Sequence, residues 1–196
     1  MIEKISNWAH GKMKTVRTGN FNPVKLICGL IFGSHDMYER SEAALVQQYG
    51  ELDIRSPVFT FDFTDYYEKQ MGRDLKRAFL SFRDLRSPTE LSSIKIGTIS
   101  LEGELREEAG SDLRVINLDP GYLTASALIM ATTKDFAHRV PLQEGIYAHL
   151  ELLFGKKEVR TLDWTYPDFR SRAYQDFFLE VLRVYLDQIR IIDRSL

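Results

Sequence analysis

An almost unbroken apolar run extends from Val24 to Phe32 and restricts the chain to a small set of folds. The run has the length of a β-strand and ends at Gly33-Ser34. A strand with one face in water alternates apolar and polar residues, whereas a continuous apolar run is typical of a strand buried on both faces. The chain is therefore predicted to bury this strand between other layers of structure.

The segments that follow predict a helix and a second strand. Asp36 to Tyr49 have apolar residues at helical spacing, and Gly50 is placed to end that helix. Val58 to Phe63 follow Pro57 and alternate as a strand does. Strand, helix and strand thus form the predicted opening unit.

Two further helices are predicted between Asp65 and Glu108. Leu75, Phe79 and Phe82 recur at helical spacing and indicate the first of them. The second begins at Ser87-Pro88-Thr89-Glu90, which combines a capping serine, a proline at the first helical position and a glutamate at the third.

The segment from Asp119 to Ala131 permits two interpretations. Val115 to Leu118 is predicted to be a short strand that leads into Asp119-Pro120-Gly121. An Asp-Pro pair commonly starts a helix and the alanines that follow favour one, whereas the Thr and Ile content permits a strand. We favour the helix and keep the strand as the alternative.

The remaining segments predict a strand meander and a long C-terminal helix. The meander comprises Phe136–Leu142, Gly145–Phe154 and Val159–Trp164, which are separated by turns. Ser171 can cap the final helix, and Phe178 lies on its apolar stripe.

The size and composition indicate one globular domain. At 196 residues, with 44% hydrophobic and 28% charged residues, the chain has the size of a single domain and is neither disordered nor fibrous. We predict a single α+β domain at residues 23–196, in which helices and a long C-terminal helix cover a mixed β-sheet. Residues 1–22 are predicted to be a basic, flexible arm.

Charge and cysteine content exclude several classes of protein. A formal net charge of -2 argues against a general nucleic-acid binder. Cys28 is the only cysteine, so no disulfide framework forms, and no apolar stretch approaches the roughly 20 residues that span a bilayer. The basic arm has no apolar segment of the kind found in secretory signals, so we expect a cytoplasmic protein with no membrane partner.

The meander allows a choice of register. With a three-residue loop, Leu142 pairs with Ile146 and Val140 with Ala148, which leaves one face apolar. Arg139 then stands opposite His149 on a charged face, which is either solvated or the floor of a pocket. His138 is predicted to face the apolar side.

Well-marked enzyme motifs are absent. The chain contains no G-x-x-x-x-G-K-[ST] loop, no G-x-G-x-x-G, no G-x-S-x-G and no H-E-x-x-H, and a single cysteine cannot form a zinc cluster. Several enzyme classes are thereby excluded, and the sequence leaves open whether the protein is an enzyme.

Polar and aromatic blocks at predicted strand ends hold the candidate site residues. They supply carboxylates, which are ligands for a divalent metal, and cations, which neutralise phosphate. The metal candidates are Asp62, Asp65 and Asp119. The phosphate candidates are Lys134, Arg139 and His138. The pocket or orienting candidates are Tyr66, Tyr67, Asn117, Asp135 and His149.

Taken together, the blocks resemble a bacterial family of unknown function whose members are sometimes automatically labelled GTP-binding proteins. The blocks are FDFTDYY, NLDPGYL, ATTKD, HR, GIYA and WTYPD, and they extend from about Pro23 into the last helix. The resemblance implies no mechanism, and no phosphate-binding motif in the chain supports the GTP label.

Three functions remain open at this stage. The first is binding of a phosphorylated small molecule or nucleotide, with Mg²⁺ or Mn²⁺ as the cofactor if a metal takes part. The second is a non-catalytic module that contacts a protein or RNA through aromatic residues. The third is a structural polar network with function in an oligomer interface. The sequence does not identify the ligand or the oligomeric state.

Overall fold

The computed structural model describes residues 19, 21–64, 66–155 and 158–195, and the predicted arm lies almost entirely outside them. Nine strands form one sheet in the order β2-β4-β1-β5-β6-β8-β7, with β3 beside β4 and β9 beside β8. The strands are β1 (Val24–Phe32), β2 (Leu52–Arg55), β3 (Phe59–Thr60), β4 (Lys76–Arg86), β5 (Ile116–Leu123), β6 (Ala127–Thr132), β7 (Val140–Pro141), β8 (Tyr147–Phe154) and β9 (Val159–Thr161). The helices are α1 (His35–Tyr49), α2 (Glu68–Met71), α3 (Leu91–Glu108) and α4 (Arg172–Ser195).

The α+β class and the long C-terminal helix are confirmed. Where a mixed sheet was expected, every pairing among the described strands is antiparallel. No helix in the described part of the chain has the length and apolar character needed to cross a bilayer.

The strand β1 is central and fully buried, as its apolar run predicts. It pairs with β4 along one edge and with β5 along the other. One face of these strands packs with α1 and α3, and the other packs with α4. Both faces are therefore covered, which explains why β1 lacks polar alternation.

The helix predicted around Leu75, Phe79 and Phe82 is wrong, because this segment forms β4. Six consecutive residues from Arg77 to Phe82 are buried, since β4 is covered on both faces like β1. A fully buried strand has no period-2 pattern, so its apolar residues can also match helical spacing.

The favoured helix at Asp119–Ala131 is wrong as well, and the strand alternative is confirmed. The segment forms the antiparallel pair β5 and β6. Pro120 is tolerated inside β5 because β6 pairs with β5 only from Gly121 to Leu123, so the missing N–H costs no hydrogen bond to β6. The predicted strands at 58–63 and 136–142 shrink to β3 and β7, and β2 was not predicted.

Candidate functional site

The sheet splits between β5 and β6. β5 pairs with β6 only from Gly121 to Leu123, so the part of β5 that precedes Gly121 has no partner in β6. β6 itself continues to pair with β8 as far as Thr132. The strand edge at Leu118, which has no partner in β6, is hydrogen-bonded to α3 instead. Glu102 accepts a hydrogen bond from the Leu118 N–H at 2.6 Å, and the Lys95 ammonium donates to the Leu118 carbonyl at 2.8 Å. Because side chains of α3 replace the missing backbone partners of Leu118, its N–H and carbonyl are both hydrogen-bonded although the sheet is open here.

A cavity of about 520 Å³ lies at this split. Its walls come from both sides of the gap, from α3, from the segment after β3 and from the segment before α4. Aromatic residues supply much of the apolar wall, and they are Phe61, Phe63, Tyr66, Tyr67, Tyr166 and Phe169. The charged residues of the wall are Arg77, Lys95, Arg114, Lys134, Asp119 and Asp168.

Asp119 of β5 lies between two buried cations, Arg77 and Lys95, which are called the inner cations below. It accepts a hydrogen bond from the Asn117 amide at 2.7 Å and one from Arg77 Nη1 at 3.2 Å. The Lys95 Nζ lies 3.6 Å from its other oxygen. Burial alone would raise the pKa of Asp119, but the charges of Lys95 and Arg77 and the Asn117 hydrogen bond hold it below the ordinary value. Asp119 is therefore ionised at neutral pH.

Arg77 reaches Asp119 by crossing β1 at Gly29. Arg77 is on β4, and Gly29 is paired with Phe79 of β4 on one side and with Asp119 of β5 on the other. The buried guanidinium lies 4.8 Å from the ring centre of Phe79 and 5.6 Å from that of Phe169. The position in β1 beneath the guanidinium requires glycine, because a Cβ at Gly29 would lie 2.6 Å from Arg77 Nη2.

We expect Gly29→Ala to destabilise the protein by about 1 to 3 kcal/mol, since the added methyl group overpacks a site already filled by Arg77 and Phe79. Urea denaturation measures this change. Gly103→Ala is the matched control, because nothing lies within 4 Å of an added Cβ in that helix position. It should stabilise α3 by about 0.5 to 1 kcal/mol. Equal stability of Gly29→Ala and wild type would show that Arg77 does not depend on this space.

The two outer cations lie against tyrosine rings. Arg114 has its guanidinium 5.8 Å from the ring centre of Tyr67 and donates to Glu102 at 2.6 Å. The Lys134 Nζ lies 4.2 Å from the ring centre of Tyr66. Lys134 is on the exposed loop after β6, so its ammonium is accessible to a ligand at the cavity mouth.

His149 is the residue of β8 that lines the cavity, and it lies beside the buried Glu151. His149 and Glu151 are both buried, and His149 Nε2 lies 2.8 Å from Glu151 Oε2. His149 Nδ1 accepts a hydrogen bond from Arg139 Nε at 3.3 Å. An arginine nitrogen can only donate, so Nδ1 is the accepting nitrogen of His149 in this contact.

Arg139 does not line the cavity but connects three segments of its wall by hydrogen bonds. Its Nη1 donates to the Lys134 carbonyl at 2.7 Å and its Nη2 donates to the Tyr166 hydroxyl at 2.8 Å. Tyr166 in turn stacks on His149 with 5.2 Å between ring centres. One guanidinium thus joins the Lys134 loop, β8 and the segment before α4.

Comparison with known proteins identifies the family of this chain. A family model described as a domain of unknown function (DUF4416) matches residues 22–185. The chain belongs to this family. The predicted membership of a family of unknown function is therefore confirmed, and no curated protein and no solved structure matches the chain.

The cavity of the DUF4416 domain brings together six of the predicted site residues. They are Tyr66, Tyr67, Asn117, Asp119, Lys134 and His149. Asp62, Asp135, His138 and Arg139 are not part of the lining, and Asp65 lies outside the described residues. Arg139 contacts His149, which it was predicted to stand opposite, and the Val140–Ala148 and Leu142–Ile146 partners are confirmed.

The predicted orientation of His138 is wrong. Its Nε2 lies 3.1 Å from His149 Nδ1, and its ring stacks on Trp164 with 4.8 Å between ring centres. The prediction assumed that the strand began at Phe136, but within residues 136–142 the strand that pairs with β8 comprises only Val140 and Pro141. His138 therefore lies outside the strand, where face alternation does not apply.

Four charged lining residues were not among the predicted site residues, and they are Arg77, Lys95, Arg114 and Asp168. One of them carried a signal in the sequence, because Lys95 lies between Ile94 and Ile96. A cation inside an apolar pattern is rarely buried unless it has a partner, so this position indicated an internal carboxylate. Arg77 follows Lys76 at the start of β4, so its burial had no such signal.

The metal hypothesis gains no support from the arrangement of carboxylates. Within residues 21–64, 66–155 and 158–195 no group of three His, Cys, Asp or Glu side chains is arranged to hold a metal ion. Asp119, one of the metal candidates, already has both oxygens beside cations. A divalent ion there would have to displace Lys95 and Arg77.

Proposed function

We propose that this cavity binds the phosphate group of a phosphorylated small molecule or nucleotide. The observation that carries the proposal is the charge of the wall, where four cationic side chains accompany two carboxylates in a chain of net charge -2. Arg77 and Lys95 are buried and Arg114 is half-buried, so an anionic group in the cavity would form charge-assisted hydrogen bonds in a partly desolvated site.

The inner and outer cations have different roles in this proposal. Arg77 and Lys95 are held by Asp119 and form a rigid positive floor. Arg114 and Lys134 lie nearer the tyrosines of the wall and supply donors to phosphate oxygens. The aromatic rings of Tyr66 and Tyr166 then face the non-phosphate part of the ligand.

The size of the cavity and the expected location fit this ligand class. A volume of about 520 Å³ lies within the range of small-molecule sites. A cytoplasmic location, which the single buried cysteine favours, would give access to phosphorylated metabolites.

A thermal-shift screen with inorganic phosphate, nucleotides and sugar phosphates tests the proposal. A ligand at a hundred times its Kd stabilises the native state by about 2.7 kcal/mol, so wild type should melt at a higher temperature. We expect the shift in EDTA as well as with Mg²⁺ or Mn²⁺, because the chain supplies the positive charges itself.

The variant Lys134→Ala should lose most of the shift, and Lys76→Ala should keep it. Both substitutions remove one exposed lysine charge, but Lys76 does not line the cavity. Equal shifts in the two variants would refute the assigned role of Lys134. Absence of a shift for every phosphorylated ligand at millimolar concentration would refute the proposed function.

One observation favours a second candidate, a surface that contacts another protein. Phe136 and Val140, on the segment between β6 and β8, are 64% and 60% exposed, and Leu142 is exposed beside them. Exposed apolar residues in sequence proximity are common in interaction surfaces. If no phosphorylated ligand binds, substituting Phe136 and Val140 by serine should reduce self-association or partner binding measured by ultracentrifugation.

A further inference from the structure

Two carboxylates share the cavity but have opposite surroundings. Asp119 is bracketed by Lys95, Arg77 and the Asn117 amide. Asp168 is buried at the start of the short 3-10 turn before α4, and it lines the same cavity as Arg77. When neighbouring acids in one site are pushed in opposite directions, one stays ionised and the other carries the proton.

We propose that Asp168 is the proton donor of the cavity, taking up a proton when an anion binds and donating a hydrogen bond to a ligand oxygen. The inference rests on the proposed anion site and deepens it. It assigns the cavity the capacity for acid–base chemistry on a bound phosphorylated compound, with Asp119 remaining ionised.

The charges around Asp168 supply the physical reason. Burial raises the pKa of Asp168 above that of an ordinary aspartate, Arg77 opposes the rise, and Glu151 adds to it. Asp119 on β5 adds a smaller effect of the same sign, and Tyr174 of α4 also interacts with Asp168. Arg77 is therefore the cation that favours the ionised form of Asp168.

An anion that enters the cavity favours the protonated form of Asp168 over the ionised form. It shares Arg77 with Asp168, which weakens the stabilisation of the ionised carboxylate, and it adds a second negative charge nearby. Glu151 cannot move away, because its backbone and side chain are fixed by Thr165 and by the Tyr166 N–H. Protonation of Asp168 relieves the repulsion and turns an acceptor into a donor for the ligand.

Calorimetric titration of the full chain with sulfate tests the proposal. Sulfate resembles phosphate in shape but does not titrate near neutral pH, so any proton taken up belongs to the protein. Titrations in two buffers of different ionisation enthalpy give the number of protons bound per sulfate. We expect wild type to take up close to one proton per sulfate at the pH of greatest uptake, and its affinity to fall by close to tenfold per pH unit around that pH.

Three variants make the test specific. Asp168→Asn should bind sulfate without proton uptake and with an affinity that changes little from pH 5.5 to 8. Asp163→Asn, which removes an exposed carboxylate outside the cavity, should behave as wild type. His149→Gln removes the histidine of the wall and should keep the uptake.

The outcomes separate this inference from the proposed function. Sulfate binding with no proton uptake by wild type, or with uptake that persists in Asp168→Asn, overturns the role of Asp168 and leaves the anion site standing. Uptake that disappears in His149→Gln but not in Asp168→Asn assigns the proton to His149 and also overturns it. If neither sulfate nor phosphate binds, the anion site itself is refuted and the inference with it.

Discussion

Asp119→Asn is expected to lower the free energy of unfolding by about 3 to 5 kcal/mol at pH 7, because removing one partner leaves buried charges uncompensated. Arg77 is 3% exposed and Lys95 is 6% exposed, so neither cation can turn to water without disturbing the core. Urea denaturation monitored by circular dichroism gives the difference.

The pH dependence of this effect follows from the direction of the pKa shift. The pKa of Asp119 is lowered in the folded state, so its contribution is present above the ordinary value of 3.8 and is lost as pH falls through the folded value. The difference between wild type and Asp119→Asn should therefore shrink in acid.

Asp62→Asn provides the control, since Asp62 is an exposed aspartate outside the cavity. Its stability should match that of wild type within about 0.5 kcal/mol. An Asp119→Asn variant as stable as the control would contradict the role of Asp119 as the counter-ion of Arg77 and Lys95.

Phe178→Ala is the second substitution with a large expected effect, at about 3 to 5 kcal/mol, because a fully buried ring would leave a cavity. Phe178 of α4 has no exposed surface. Its ring centre lies 5.1 Å from that of Phe79, 5.3 Å from that of Phe177 and 5.7 Å from that of Phe169. A thermal midpoint equal to that of wild type would show that α4 is peripheral to the core.

The effect of Phe178→Ala should extend to the binding site. Phe79 and Phe169 both contact the Arg77 guanidinium, so loss of the ring behind them should loosen Arg77 and weaken anion binding. Phe136→Ala is the matched control, because Phe136 is largely exposed. It should change neither stability nor anion binding appreciably.

Local signals predicted the parts of the fold that depend on neighbours in sequence. The β1 run, the end of α1 at Gly50 and the capping box at Ser87 and Glu90 were all predicted from a few adjacent residues. The β4 segment was misassigned because burial on both faces erases its alternation. The β5–β6 pair was misassigned because the Asp-Pro signal is local, whereas pairing of β5 with β1 is not.

The site was predicted in part for the same reason. Asp119 and Lys134 stand in conspicuous polar blocks, so residue type alone drew attention to them. The path of Arg77 over Gly29 to Asp119 requires the register of three strands that are far apart in sequence. No pattern within a single segment contains that information, and the charge of the cavity could not be inferred without it.

The split between β5 and β6 affects how the site can vary among relatives. In a continuous sheet the distance between neighbouring strands is set by the backbone hydrogen-bond ladder and is nearly invariant. Here the N–H and the carbonyl of Leu118 are bonded to Glu102 and Lys95 of α3, whose reach depends on side-chain length. Substitutions at these two positions would therefore change the distance between α3 and β5 beside the cavity while the rest of the sheet keeps its register. A single helix thus contributes to the width of the cavity independently of the strand pairing.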